Sequence, residues 1–354
     1  MQNRHMTLAD CLTSELREPA GAMVDQAGRA GLDLLLGEIA QTVNRISSLV
    51  SRGALGGQGT RHQPLDVAAH DMFASMCEQS ALVAAFASTR MEAATPVDSA
   101  CGKYLVAFEP LDSAAQAGLN VTTGTIFSVL RQHGRQTAGD AAFLRTGREQ
   151  IAAGYAIYGP STMLVLTAGS GAHGFTLDRE TSTFMLTHPS IRLPEKAAGF
   201  SINSARERLW EPPVLRFVRE CRAGSTGERK QDFSTRWTGS TVADVHRLMM
   251  LGGVYLQPRE RRQPARPGRL RMLHEANPLA FLVEQAGGMA STGRARLLDL
   301  EPQTVHERVP VILGSPCEVE RLERYHREYE SGADAPFISP LFNERSLFRP
   351  EARA

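Results

Sequence analysis

Four acids in this chain of 354 residues stand where side chains could do chemistry. Asp66 follows Pro64-Leu65 at the start of a helical pattern. Glu109 and Asp112 flank Pro110-Leu111 at the end of the apolar run "KYLVAF", which aims both carboxylates into one cleft. Glu275 stands just ahead of a helix start, after "RLRML". Hard oxygen donors of this kind suit Mg²⁺ or Mn²⁺. A metal held by such acids activates water and clamps phosphoryl oxygens.

The elements that must position these acids are legible as periodicities. Apolar residues at helical spacing (Leu32, Leu35, Leu36, Ile39, Val43, Ile46, Leu49, Val50) predict an amphipathic helix over 28–52, closed by the glycine-rich "GALGGQG". A second helix is expected over 65–85. Strands are expected at 103–109, 122–130, 162–168, 174–180 and 183–188, several joined by short polar turns and hence antiparallel. The proline of "IRLPEK" marks a linker near 190–197, followed by a helix over about 209–222 and a Gly/Arg-rich loop at 223–236. "STVADVHRLMML" reads as a helix with Thr241 and Asp244 as a capping box. "NPLAFLVEQAGG" reads as one with Asn277 as N-cap and Pro278 in its first turn. "QPRERRQPARPGR" (257–269) reads as an exposed loop and "RVPVILGS" as a buried strand, with a helix to about Tyr329 after it. The tail beyond Gly332 carries no clear pattern.

Composition sets wide bounds. The chain is 42% hydrophobic and 22% charged with net charge +1, which fits a soluble globular protein and gives no basic surface for nucleic acid. Its five cysteines are scattered, supporting neither a zinc knuckle nor a disulfide framework. No run spans a bilayer, and the expected location is cytoplasmic. "MTLADCL" reads well as an N-terminus, so Met6 is a second candidate start. "GSGAHG" (169–174) matches G-x-G-x-x-G after a strand. Alternating "FTLDRETSTFML" follows it where a dinucleotide site needs a helix, so it reads as a turn.

Taken together, "PLDVAAHDMF", "GKYLVAFEPLD", "GTIFSVLR", "AAGYAIYGPSTMLVLT", "FSIN", "GSTVADVHR", "RLRMLHEANPLAFLVEQAGGMASTG" and "ERVPVILGSP" resemble class 1 fructose-1,6-bisphosphatase from about residue 28 to 328. The resemblance implies an α/β fold of α-β-α-β-α layers in two domains. The expected division is an N-terminal segment (1–27), a metal-site and allosteric-type domain (28–195), a sugar-phosphate-binding domain (196–330) and a tail (331–354). It also implies Mg²⁺-dependent removal of the 1-phosphate of fructose 1,6-bisphosphate, in gluconeogenesis or the Calvin cycle, by a homotetramer. Asp66, Glu109 and Asp112 become the catalytic residues, with Glu109, Asp112 and Glu275 as the metal ligands.

The departures from the family pattern cluster at the metals. Thr60 stands where the family has an acid, and Thr89 and Arg90 stand where it has two glutamates. Asp-Pro-Leu-Asp-Gly-Ser-Ser becomes Glu109-Pro110-Leu111-Asp112-Ser113-Ala114-Ala115. Six negative positions reduce to three negatives and one positive, a net −2 in place of −6. A unit charge pair about 5 Å apart at an effective dielectric of about 20 contributes about 3 kcal/mol, so Mg²⁺ affinity is expected to fall by orders of magnitude. Ser113 also stiffens a loop whose N–H groups must approach a phosphate.

The far end of the site is better kept. Asn203, Arg236 (lent across a subunit interface in the family) and Arg269 (a lysine in the family) match substrate-binding positions. Arg206, Trp237 and Gln257 replace tyrosines there, and Ser113 borders the same cleft. Lys103, Tyr104 and Arg148 match part of the family's AMP site. The expectation is therefore a catalytically weak or inactive homologue that binds a sugar phosphate as a homotetramer, as a homodimer or with an active paralogue, with Mg²⁺ weak or absent. The alternative is a functional fructose-1,6-bisphosphatase with a modified metal site.

Overall fold

The computed structural model describes residues 6–15, 31–53, 64–98, 102–134, 139–260 and 268–333. Thr60, most of the glycine-rich loop and of the segment before residue 28, 261–267 of the arginine-rich loop and nearly all of the tail lie outside the described residues.

Alternating side chains along the strands sort the molecule into layers. In strand β5 (Gln150–Tyr158), Ala152, Ala156 and Tyr158 join one core while Ala153, Tyr155 and Ile157 join another. Such a strand is buried on both faces, as period-two geometry requires when both sides carry helices. It belongs to an eight-stranded sheet in the order β2-β1-β3-β4-β5-β6-β7-β8. The others are β1 (Val83–Ser88), β2 (Thr95–Pro96), β3 (Tyr104–Asp112), β4 (Thr123–Arg131), β6 (Thr162–Thr167), β7 (Ala172–Asp178) and β8 (Thr183–Ile191). The β1–β3 pairing is parallel and every other pairing in the sheet is antiparallel.

The outer face of this sheet is covered by α1 (Leu8–Glu15), α2 (Leu32–Ser51) and α3 (Leu65–Gln79). Leu35, Leu36, Ile39, Val43 and Ile46 of α2 are fully buried, as their spacing predicts. A short turn of helix, α4 (Ala114–Ala117), follows β3. Later in the chain come α5 (Pro212–Ala223), α6 (Thr241–Leu251), α7 (Asn277–Gln285) and α8 (Pro316–Glu330). Helices α6 and α7 fill the space between the first sheet and a second one.

The second sheet has the order β10-β9-β11-β15-β13, with β9 (Gly199–Ser201), β10 (Ser234–Thr235), β11 (Val254–Gln257), β13 (Met289–Ser291) and β15 (Val311–Gly314). Tyr255, Val311 and Leu313 face α6 and α7. Val254, Leu256 and Ile312 face α5 and α8. The layers therefore run α-β-α-β-α, and the chain has two α/β domains. A small ladder of β12 (Leu270–Arg271) with β14 (Arg308–Val309) completes the second domain.

Four expectations change. The second helix ends at Gln79, and 83–85 open β1. "LVAAFAS" is a short all-apolar run whose period cannot separate buried strand from helix. β5 went unpredicted for the same reason. The cap of α6 is Ser240, whose Oγ accepts from Ala243 N at 3.2 Å. Asp244 instead accepts from Thr238 N at 3.1 Å. Asn277 does not cap α7, because a π-helical turn at Met272–Ala276 runs straight into it. The glycine-rich decoy is a turn leading into β7, as read.

Gly124 on β4 packs tightly against both β5 and α6. A Cβ there would lie 2.3 Å from Ala156 O and 2.5 Å from Val242 Cγ1. Gly124→Ala is expected to lower stability by about 1–3 kcal/mol, the usual cost of forcing extra volume into a packed core. Urea unfolding reads it; an unchanged midpoint would show that the layers can part without penalty.

Candidate active site

Glu109 and Asp112 reach one cleft because β3 is irregular between them. Its register against β4 shifts between Glu109, opposite Ile126, and Asp112, opposite Gly124. Pro110 supplies no N–H to the ladder, and irregularities of this kind re-aim side chains at a strand end. Glu275 arrives from the π-helical turn, and turns of this type are frequent at functional sites. The three carboxylates act on one another. Burial, and next Glu109, push the Glu275 carboxyl well above the usual range. Burial pushes Glu109 up, with Asp112 adding repulsion against the hydrogen bond from Thr89. Burial also raises Asp112, against the donors Val242 N–H and Ser240.

Each acid has a protein partner. The Asp112 carboxylate lies at the N-terminus of α6 and accepts from Ser240 Oγ at 2.7 Å and Val242 N at 3.0 Å. Ser113 Oγ lies 3.3 Å from its other oxygen. Glu275 accepts from the Arg271 backbone N–H at 2.7 Å, and Arg271 is the cation whose charge reaches both glutamates. Arg271 was missed in sequence, although it stands in "RLRMLHE". Asp66, in the first turn of α3, is ion-paired with Arg90, on the turn after β1. Thr89 and Arg90 thus engage two of the acids directly.

Hard oxygens with unrelieved like charge have the right chemistry for a divalent cation. Among the described residues, however, no group of three or more His, Cys, Asp and Glu side chains is arranged to hold a metal. Asp112 Oδ2 and Glu275 Oε2 already accept hydrogen bonds from protein donors. Glu109, Asp112 and Glu275 lie close enough to act on one another but do not form a ready metal cage. The loop after them is altered too. Ser113 takes φ 56°, ψ 42°, a left-handed conformation in which a side chain is unusual, and its Oγ donates to Gly239 O at 2.9 Å. Gln116 Nε2 donates to Thr238 O at 3.1 Å, so the loop is fastened to the segment ahead of α6.

The expected sugar-phosphate residues gather around β9, β11 and the following turns. Asn203 Oδ1 caps the 3-10 turn Ser204–Leu209 by accepting from Ala205 N at 3.2 Å. Trp237 lies parallel to Tyr255, ring centroids 6.3 Å apart. Gln257 Nε2 donates to the Tyr255 hydroxyl at 3.0 Å. Arg236 is exposed beside the edge strand β10 and donates to Thr235 O at 2.8 Å. Arg269 is exposed near Glu260. Arg206 forks onto Glu260 through Nε and Nη2. Glu260 was not foreseen, being one acid in an arginine-rich run. A cavity of about 540 Å³ opens beside this end, between Phe200, Ile202, Phe233 and Trp237.

Of the residues matched to the AMP site, Lys103 immediately precedes β3 and Tyr104 opens it, and Arg131 stands opposite Tyr104 across the β3–β4 ladder. Burial pushes the Tyr104 hydroxyl up to about 12, against the pull of Arg131. Arg148 Nε donates to Asp299 Oδ1 at 2.5 Å. The arginine nearest the Lys103–Tyr104 position is Arg131, in "GTIFSVLR".

Comparisons place this geometry among known proteins. The family descriptions "Fructose-1-6-bisphosphatase, N-terminal domain" and "Fructose-1-6-bisphosphatase, C-terminal domain" match residues 22–189 and 193–327. A protein of Methylacidiphilum infernorum named fructose-1,6-bisphosphatase class 1 is 46% identical over 330 residues, covering 90% of this chain and 93% of the relative. One of Paraburkholderia phymatum, fructose-1,6-bisphosphatase class 1 3, is 45% identical, covering 96% of this chain and 97% of the relative. The crystal structure of Leishmania major fructose-1,6-bisphosphatase in holo form superposes with a TM-score of 0.81 at 32% identity, covering 91% of this chain and 99% of that one.

The clustered acids make a testable signature in EDTA. Their folded pKa values lie above the unfolded ones, so between the two the folded state holds more protons than the unfolded state. Stability should therefore fall from about pH 4.5 towards about pH 8, where Glu275 titrates. The slope is up to about 1.4 kcal/mol per pH unit for each extra proton. Glu275→Gln should flatten much of this fall. Melting temperatures that rise over the same window in wild type would contradict the placement of the acids.

Proposed function

The chain belongs to the fructose-1,6-bisphosphatase family, and from that premise we propose that it is a class 1 homologue that binds a sugar phosphate in its cleft and hydrolyses it slowly or not at all. The observation that carries this reading is the ion pair between Arg90 and Asp66. An oxygen that holds a guanidinium is not available to position water or accept its proton. Thr89 engages Glu109 in the same way, and the helix N-terminus engages Asp112. Phosphoryl transfer draws nearly all its acceleration from positioning and charge stabilisation. A centre whose acids are bound to one another's neighbours has little of either to give.

A second reading, a functional fructose-1,6-bisphosphatase with a modified metal site, draws support from the 46% identity over nearly the whole chain and from the convergence of Glu109, Asp112 and Glu275. On that reading Mg²⁺ displaces the protein donors. Fructose-1,6-bisphosphatases are generally metal-dependent, so Mg²⁺ is the cation to add. Assembly belongs to the proposal as well. Arg236, exposed beside an edge strand, is well placed to serve a second copy of the chain or an active paralogue, in a closed symmetric dimer or tetramer.

Phosphate release from fructose 1,6-bisphosphate separates the two readings, measured in Mg²⁺ and in EDTA with Asp112→Ala as control. Combined Thr60→Glu, Thr89→Glu, Arg90→Glu, Glu109→Asp, Ser113→Gly, Ala114→Ser and Ala115→Ser should raise the Mg²⁺-dependent rate by orders of magnitude. Single changes should do little, because such residues act as a unit. A wild-type rate equal to that of the combined variant selects the second reading. Light scattering at micromolar concentration should give a dimer or tetramer; a monomer would remove the assembly part of the proposal.

A further inference from the structure

The family-matched cations at the far end of the cleft share an anion of the chain's own. Arg206 sits in the turn that Asn203 caps, and its Nε and Nη2 each donate to one oxygen of Glu260. The carboxylate is the buried member: Glu260 is 8% exposed, while the Arg206 side chain keeps 31% of its surface. A backbone bridge to Trp210, itself 1% exposed, fixes Glu260 in place. Arg269 adds its charge from nearby, and together with Arg206 holds the Glu260 carboxyl below the usual range. A fixed, buried carboxylate thus lies among the arginines that would meet a phosphate.

We propose that Glu260 is the specificity-determining residue of this end of the cleft, where the family resemblance implies the 6-phosphate lies: an internal anion that shares Arg206 with the ligand and so reduces what that phosphate contributes to binding. The inference rests on the reading that the cleft takes a sugar phosphate. A guanidinium makes its strongest contact to phosphate through two parallel N–H groups. The Nε–Nη2 edge is already committed to Glu260, so a phosphate is left the end-on edge. It must also approach with a fixed negative charge on the other side of the same planar group. The consequence is weak discrimination by charge: a sugar bisphosphate gains little over the monophosphate that lacks the 6-phosphate.

Calorimetry in EDTA with fructose 1,6-bisphosphate and fructose 1-phosphate reads this directly, as the ratio of the two dissociation constants. In wild type the bisphosphate should bind less than about fivefold tighter than the monophosphate. Glu260→Gln keeps the shape and removes the charge, and should widen the ratio by about tenfold or more, equivalent to about 1.4 kcal/mol. Arg206→Ala combined with Glu260→Gln should abolish that gain. Glu260→Asp, which withdraws the carboxylate by one methylene, should give an intermediate ratio, so a Gln variant that fails to fold does not remove the test. A ratio that stays fixed or narrows in these variants overturns the inference, because it assigns Glu260 to orienting Arg206 or to holding the turn. Absence of heat from every variant with both sugars overturns the sugar-phosphate reading itself, and this inference with it. Binding with a fixed ratio removes Glu260's role alone.

Discussion

Carboxylates brought together in a buried cleft must have their charge compensated, and the centre of this molecule is organised by how that is done. The α-β-α-β-α layering brings the end of β3, the N-terminus of α6 and the π-helical turn before α7 to one place. Asp112 and Glu275 are 6% and 8% exposed there. Isolated buried carboxylates are costly; they must be paired, hydrogen-bonded, protonated or bound to a cation. In this chain protein groups supply part of the compensation, and burial still outweighs it at Glu109, Asp112 and Glu275. Ser240 and the Val242 N–H serve Asp112, Thr89 serves Glu109, the Arg271 N–H serves Glu275 and Arg90 serves Asp66. Two residues that depart from the family pattern, Thr89 and Arg90, are thus partners of acids in this cleft.

The same rule limits what can be inferred from counting cations. Arginine is abundant in the sequence, and several arginines that look available for a phosphate are engaged internally. Arg206 is held by Glu260 and Arg148 by Asp299. Arg229 forms a closely buried pair with Glu318 at 2.6 Å that ties the loop after α5 to α8. Arg236 and Arg269 differ, standing exposed near the cleft. The electrostatic character of the far end thus depends on a few acids placed among the cations more than on the number of cations.

Much of the architecture was legible in the sequence because long amphipathic and alternating runs declare their partners. The 3.6-residue spacing of α2 and the two-residue alternation of β7 and β8 needed no tertiary information. β1 and β5 were not legible: strands buried on both faces lose their alternation and read as short apolar runs. The π-helical turn was hidden because the Asn277-Pro278 signal for a helix start is genuine locally, yet the preceding turn continues into it. Of the site, Glu109, Asp112, Glu275 and the cluster around Asn203 followed from motif. The partners did not. Asp66 and Arg90 are 24 residues apart, and Arg206 and Glu260 are 54 apart. Such pairs exist only once the layers are assembled. Sequence matching pointed to Arg148 beside Lys103 and Tyr104, whereas the β3–β4 register puts Arg131 opposite Tyr104.

The two ends of the cleft can diverge independently because different elements build them. The acids depend on the irregular end of β3 and on the first sheet's contact with α6, whereas Asn203, Arg206 and Glu260 depend on the turn after β9 and its bridge to the segment after β11. Arg90 changes the charge at the first place through its ion pair with Asp66. Binding at the far end needs directed donors alone, while hydrolysis needs several groups poised together, and an assembly of that kind fails when any one member is engaged elsewhere. A fold divided in this way lets a substitution at the strand end act on one set of contacts and a substitution around Asn203 on another.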